Sequence, residues 1–482
     1  MKNYWKPFLA ALLLSFSRFP HCGFFVFFAF LPLFSMFNEK LSKQKTIISA
    51  LIFSSIYTAV ALHWIALVTV GYYGLFLLFG AYFIILFLLI NKFWNTAHSM
   101  KFFMLLPLWI LFEFAQNFGE FRFPWFNVGY ALAEYNPLIQ LAEFGGIYLL
   151  SIGGILINIF VFNWKKRYFR FWGIIIFSAW ILSGILQFKL INLTKTDINI
   201  AIIQPSIKQE LKWEKSFEDS IFSRLQTLSE KAMKTGPSML IWPESALPGY
   251  LRRDRKLKNF TTNIAKKNNV QIFTGFPDYK IAQPPFPNRY KFYNAATKIN
   301  QDGNFSKIYH KNILVPFGER TPFLKIFPIL WKIQLGQANF EYGDSPEFYG
   351  LENYKFAPLI CFEIAMPSLT NKIAQNNADF IVNLTNDAWF KKSVGTFQHA
   401  MMTKIRAVET RTQIYRAANT GFSLVVSPKG EVLQKSKLYG ITTLSENLFI
   451  HNGKTFFTKF PLLFPFLCLI LGFYLVIFRW RK

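Results

Sequence analysis

Six apolar runs of spanning length, at residues 47–68, 74–91, 102–118, 138–163, 171–188 and 460–478, constrain this chain more than any other feature. Each is close to the roughly 20 residues that an α-helix needs to cross a hydrocarbon layer. Residues 7–37 hold two shorter apolar runs divided near Arg18, Pro20 and His21, which predicts two short helices joined by a tight turn. No small-x-small cleavage site precedes the second run, so a removable leader is not expected. The expected total is about eight transmembrane helices.

Composition agrees with lipid as the solvent. Hydrophobic residues make up 52% and charged residues 16% of the 482, against roughly 25% charged in soluble domains, so too little polar surface exists to face water. The apolar content excludes disorder, 26 glycines without a period exclude a collagen-like chain, and three cysteines cannot form a disulfide framework. A net charge of +27 would suggest nucleic acid in a soluble chain, but no nucleic-acid motif accompanies it and no such partner is expected. Much of the charge sits at the ends of the apolar runs. Lys40, Lys43 and Lys45, then Lys92 and Lys101, then Lys165, Lys166, Arg167 and Arg170, and finally Arg479, Arg481 and Lys482 form four clusters. Basic short loops stay in the cytoplasm, which places both termini there and the long polar stretch outside. The expected division is a transmembrane bundle of about seven helices over 1–188, an extracytoplasmic domain over 189–455, and a last span with a cytoplasmic tail over 456–482. The middle stretch carries 36 of the 53 basic and 21 of the 26 acidic residues, a balance that favours contact with anionic headgroups.

Within that stretch, short β-rich runs recur at 198–203, 239–242, 270–274, 292–299, 305–310, 355–360, 379–385, 414–418 and 422–427, with helical patterns at 217–233, 257–268, 367–376 and 396–412. The alternation predicts an α/β domain with helices on both sheet faces and ligands at the carboxyl ends of strands. Three reactive residues stand there. Glu244 follows the run at 239–242, Lys311 follows 305–310, and Cys361 ends 355–360. Singly, they could be a helix-start acid, an exposed base and a small buried apolar residue. Together they are less easily dismissed. Cys361 is the sole cysteine of the middle stretch, so no disulfide within it accounts for the thiol. A helix near Pro367 is expected to lower its pKa.

These contexts resemble those of the nitrilase superfamily, and the whole chain resembles the apolipoprotein N-acyltransferases of the bacterial envelope. The matching pieces are Leu211-Lys212-Trp213-Glu214, Trp242-Pro243-Glu244-Ser245, Lys311-Asn312 with Val315-Pro316-Phe317-Gly318-Glu319, Cys361-Phe362-Glu363-Ile364, Asn386-Asp387-Ala388-Trp389-Phe390 and Arg406-Ala407-Val408-Glu409, with Phe123-Pro124-Trp125 and Gly129-Tyr130 in the apolar part. The resemblance implies an αββα sandwich carried on the membrane bundle, in the bacterial inner membrane with the catalytic domain in the periplasm. It further implies a catalytic triad of Glu244 (base), Lys311 (oxyanion cation) and Cys361 (nucleophile). Glu319 and Glu363 would be supporting acids, Trp213 would sit on a mobile loop near the lipid entrance, and Phe362 and Trp389 would border the substrate. The implied reaction moves an acyl chain from a membrane phospholipid, through a Cys thioester, to the α-amine of the lipidated N-terminal cysteine of apolipoproteins. A membrane-bound amidase acting on a small amide is the alternative. No metal-ligand spacing occurs among six His and three Cys, and no cofactor is expected.

The chain departs from the family pattern at Phe362, where some relatives have Tyr, at Lys391, where Gly is common, and at the 18–22 turn. Glu113 and Gln116 lie within the run at 102–118. An acid at such depth needs a partner or nearby water, and a lipid-path role and a place near the outer interface both remain open for it. A transporter is disfavoured, because the runs show no internal repeat.

Overall fold

The computed structural model describes residues 4–94, 101–284, 286, 288–332 and 339–477. The basic cluster at 479–482 lies outside the described residues. The chain divides into two compact units, Met1–Ile191 with Thr455–Lys482, and Asn192–Lys454.

The first unit is helical. Among the described residues, four helices are long and apolar enough to cross a membrane: Lys43–Ala61, Tyr72–Trp94, Ala142–Phe162 and Arg167–Leu190. Among the described residues, the apolar runs at 102–118 and 460–478 carry the helices Lys101–Ala115 and Leu463–Ile477. The first stops because turns take over after Ala115 and Gly119 adopts φ +76°; an apolar run records solubility in lipid, whereas a helix also needs a backbone free of such breaks. Residues 5–37 fold as helices Trp5–Phe16 and Leu31–Phe37 with a 3-10 turn at Gly23–Phe27 between them.

Helix Arg167–Leu190 shows what surrounds this unit. Gly173, Trp180 and Gly184 are its only buried residues, while Phe171, Trp172, Ile174, Leu182 and Leu186 are exposed. A contiguous apolar face of that extent has no stable place in water. Many phenylalanines instead build the interior: Phe53 meets Phe83 and Trp109 edge-on, and Phe126 stacks on Tyr57 at 4.2 Å. Glu113 is fully buried and accepts the N–H of Val128 at 2.8 Å. Arg18 donates to the carbonyl of Asn127 at 3.0 Å and lies over the Tyr130 ring. Both side chains therefore hold the segment that carries Gly129 and Tyr130.

The second unit contains two six-stranded sheets. The first comprises β1 (Thr194–Gln204), β2 (Met239–Ile241), β3 (Gln271–Ile281), β4 (Tyr290–Ile299), β5 (Phe305–His310) and, at its far edge, β12 (Thr442–Ile450), in the order β12-β1-β2-β3-β4-β5. The second comprises β6 (Tyr349–Leu351), β7 (Tyr354–Ile360), β8 (Phe380–Thr385), β9 (Gln413–Ala418), β10 (Leu424–Val426) and β11 (Val432–Lys435), ordered β11-β10-β9-β8-β7-β6. Helices α1 (Glu218–Met233) and α2 (Arg255–Asn268) belong to the first half, and α3 (Pro367–Gln375) and α4 (Val394–Thr410) to the second.

Period-two alternation stacks these layers. Ile200 and Ile202 of β1, with Met239 and Ile241 of β2, join Phe356, Phe380 and Tyr415 in a core between the sheets. Their neighbours Ala201, Ile203 and Leu240 turn the other way, onto Leu225, Leu228 and Ile264 of α1 and α2. The expectation of helices on both faces of a sheet is thus corrected: the first sheet has helices on one face and the second sheet on the other, as in an αββα sandwich. A strand alternating apolar residues on both faces is fully buried, but its sequence does not say whether a helix or a sheet does the burying.

Candidate active site

Topology brings the three reactive residues to one edge. β2 and β3 are parallel, β4 is antiparallel to β3, and β5 is antiparallel to β4, so β2 and β5 end on the same side. Glu244 follows β2 and Lys311 follows β5. A Cβ at Gly275 of β3 would lie 2.9 Å from Glu244 Cα, so only glycine lets the Glu244 backbone settle onto its neighbouring strand. Cys361 leaves the end of β7 with φ +52°, a left-handed conformation that costs a non-glycine residue about 1–3 kcal/mol unless its surroundings hold it.

A buried polar cluster links them. Lys311 is fully buried and its Nζ lies 2.8 Å from Glu319 Oε1 and 2.7 Å from Oε2. Asn294 of β4 donates from Nδ2 to Glu244 Oε1 at 2.6 Å and to Glu319 Oε1 at 3.2 Å. Burial disfavours the Lys311 ammonium, yet Glu319, then Cys361, Glu244 and Glu363, hold its pKa above the ordinary lysine value. It stays a cation. Burial raises the Glu244 pKa, with Lys311 pulling against the rise.

The expected lowering of the Cys361 thiol pKa is not found. Helix α3 begins only at Pro367, after a 3-10 turn over Cys361–Ala365. Burial pushes the thiol up, Glu244 adds to the rise, and Lys311 only partly offsets it. The resting group is a thiol.

Glu363 acts as a clamp rather than a reactant. Its carboxylate accepts the backbone N–H groups of Ile360, Asn312 and Ile313 at 2.7, 2.6 and 3.1 Å and the hydroxyl of Tyr309 at 2.8 Å. It joins the strand end before Cys361 to the turn after Lys311. Burial lifts its pKa to about 7, against the opposing pull of Lys311 and these donors.

The remaining sequence candidates lie around this cluster. Phe362 is buried, Trp389 is half-buried and Trp213 is exposed on a turn. The two tryptophan-bearing loops are tied together by Asn386, which donates to Gln209 at 2.7 Å. Lys391 has φ +50° and ψ −151°, a region populated essentially by glycine. Lys391→Gly is expected to stabilise the protein by about 1 kcal/mol; a melting temperature equal to or below that of the parent would contradict this.

Sequence reasoning missed several members. Asn294, which joins both carboxylates, was signalled only by a polar residue inside an apolar β-run. Lys212, within a quoted motif but given no role, is buried with its Nζ 3.3 Å from the Glu244 carbonyl, and burial lowers its pKa to about 8. Among the described residues, no group of three or more His, Cys, Asp or Glu is arranged to hold a metal.

Comparison with known proteins decides the family. Residues 199–446 match the carbon-nitrogen hydrolase family and residues 10–160 match the apolipoprotein N-acyltransferase N-terminal domain. The apolipoprotein N-acyltransferase of Rickettsia typhi is 31% identical, over 79% of this chain and 78% of that one. This chain belongs to the apolipoprotein N-acyltransferase family. The member from Chlorobaculum tepidum is 26% identical over 97% of this chain and 95% of its own. Among solved structures, a nitrilase-superfamily amidase from Nesterenkonia AN1 is 17% identical with a TM-score of 0.41, covering 54% of this chain and 93% of that chain. The protein is therefore an acyltransferase of the membrane, with a carbon-nitrogen hydrolase domain and an N-terminal helical unit typical of that family.

Proposed function

We propose that this enzyme moves an acyl chain from a membrane phospholipid to the α-amine of the diacylglyceryl-modified N-terminal cysteine of apolipoproteins, by way of a thioester on Cys361. The observation that carries the reading is the buried cluster in which Glu244 and Lys311, joined through Asn294 and Glu319, lie within electrostatic reach of a protonated Cys361.

The chemistry proceeds in two halves. Glu244 takes the thiol proton as Cys361 Sγ attacks the ester carbonyl of the phospholipid, and Lys311 faces the tetrahedral oxyanion. Preorganised charge of this kind is worth about 10²–10³ in rate for a single donor. Collapse breaks the ester C–O bond, and the proton on Glu244 goes to the departing lysophospholipid oxygen. In the second half the acceptor amine attacks the thioester, Glu244 takes its proton, and the thiol is restored as the amide leaves. Asn294 and Glu319 orient Glu244 and Lys311, while Glu363 fixes the backbone on both sides of the site. Trp213, Phe362 and Trp389 are assigned to the substrate path, where apolar surface limits water.

The proposal includes about eight spans, with boundaries at 1–188, 189–455 and 456–482, in the bacterial inner membrane, with both termini in the cytoplasm and the catalytic domain in the periplasm. The basic clusters at 40–45 and 165–170 support that orientation. An Arg255→Cys variant, at an exposed position that begins α2, is expected to react with an impermeant maleimide in cells with a permeable outer membrane. Reaction only after lysis would reverse the topology.

Function is tested by supplying the two substrates in turn. Phospholipid alone should release one equivalent of lysophospholipid, and a diacylglyceryl-cysteine peptide added afterwards should become N-acylated as the thioester discharges. Steady release of free fatty acid without peptide would instead favour the hydrolytic alternative.

A further inference from the structure

The carbonyl of the nucleophile has a partner from a different part of the fold. His399, on the buried helix α4, places Nε2 3.2 Å from the Cys361 carbonyl oxygen. Its Nδ1 lies 3.0 Å from Asp387 Oδ1 and 3.0 Å from Arg416 Nη2. Arg416 of β9 in turn donates from Nη2 to Asp387 Oδ2 at 2.8 Å and from Nη1 to Asn383 Oδ1 at 2.6 Å. Thr385 donates to Asp387 Oδ1 at 2.9 Å, and Asn383 donates to the Leu359 carbonyl at 3.1 Å. His399, Asp387 and Arg416 are all almost fully buried. A Cβ at Gly421 would stand 2.2 Å from Asp387 Oδ2, so the chain leaves room for this carboxylate alone.

The Cys361 partner fixes one ring nitrogen. A carbonyl can only accept, so Nε2 carries the hydrogen that points at Cys361, while Nδ1 stands between the accepting Asp387 carboxylate and the donating Arg416 guanidinium. Burial, followed by Arg416, lowers the His399 pKa, with Asp387 pulling against the fall. Asp387 stays an anion, because Arg416 and His399 outweigh the burial that would neutralise it. An apolar filling would be no less stable than a buried Asp–Arg pair, so the pair is an expensive way to pack a core unless it holds something in place.

What it holds is a strained backbone. Cys361 has φ +52°, and relief needs rotation about its own N–Cα bond, which carries its carbonyl and its side chain together. Glu363 grips the Ile360 N–H from one side, and the His399 network grips the Leu359 and Cys361 carbonyls from the other.

We propose that His399, held by Asp387 and Arg416, is a positioning residue that locks the Cys361 carbonyl and thereby aims the thiol at Glu244 and the scissile ester. The proposal rests on Cys361 being the nucleophile. A purely structural role would tie activity to stability, whereas positioning separates the two.

The test compares His399→Gln, His399→Asn and His399→Phe in the full-length protein, following thioester formation by mass against phospholipid concentration, with thermal melting alongside. A Gln amide reaches the place of Nε2 and can still donate to the Cys361 carbonyl. An Asn amide reaches only the place of Nδ1. The Phe variant keeps a ring of similar size without donors, and decides the matter if the Asn variant does not fold. His399→Gln is expected to acylate within about tenfold of the parent. The Asn and Phe variants should fall about 100-fold in maximal rate, the loss associated with small misplacements of reacting groups, at an unchanged KM for phospholipid. Acylation by the Asn or Phe variant within threefold of the parent would overturn the proposal, as would a Gln variant that falls as far as they do. Failure of the parent itself to form a thioester in the same assay would overturn the Cys361 reading on which the proposal stands.

Discussion

Cys361→Ala is expected to form no acyl-enzyme and to transfer no acyl chain, while melting within a few degrees of the parent. Removing Sγ takes away the thiol on which the acyl group would rest: Lys311 is committed to Glu319 as a cation, and Glu363 is already engaged by four donors. The left-handed backbone at 361 strains Ala as it strains Cys, so the folded state loses only one partly buried sulfur. Residues acting as a unit do not contribute additively, and loss of the nucleophile alone should cost about as much as loss of the whole triad. The measurement is lysophospholipid release together with intact-protein mass. Turnover by this variant at more than a trace of the parent's rate would rule out a thioester on Cys361.

Glu244→Gln is expected to slow acylation by about 10²–10⁴, the usual worth of a general base. The Gln oxygen can still accept from Asn294, so the surrounding geometry is kept. The pH profile carries the sign. In the parent, the base is competent only as a carboxylate, and burial has raised its pKa. Acylation should therefore rise with pH through a midpoint above the ordinary carboxylate range near 4.3, and fall away as acid protonates Glu244. The midpoint belongs to the thiol and carboxylate together, since they exchange one proton. In Glu244→Gln this limb should vanish, leaving a slow reaction that grows with pH as the raised Cys361 thiol itself ionises. An unchanged acid limb in the variant would show that another group governs the rate.

The candidate residues Glu244, Lys311 and Cys361 stood out in the sequence because each closes or closely follows a short β-run, where a strand end can present an ionisable or thiol group to a ligand. The groups that organise them did not. Asn294 lies inside β4 rather than at its end, and His399 and Arg416 lie inside α4 and β9, where isolated polar residues look like ordinary interior ones until their partners from other elements are known. Edge strand β12 escaped for a different reason. Its buried residues, Leu444 and Leu448, are four apart, so it lacks the period-two signal of a half-buried strand and is recognised only by its pairing with β1. In the membrane unit, apolar content located the helices but not their ends. The expected run reaches residue 118, whereas the helix ends at Ala115, just before the polar pair Gln116 and Asn117.

The mass of the full-length protein after mixing with phospholipid, in the absence of any acceptor, tests the central claim most directly. The account predicts one added acyl group on Cys361, matched by one equivalent of lysophospholipid and then no further release until a diacylglyceryl-cysteine amine is supplied. An unmodified protein with continuous production of free fatty acid, or an acyl group found on a residue other than Cys361, would contradict it.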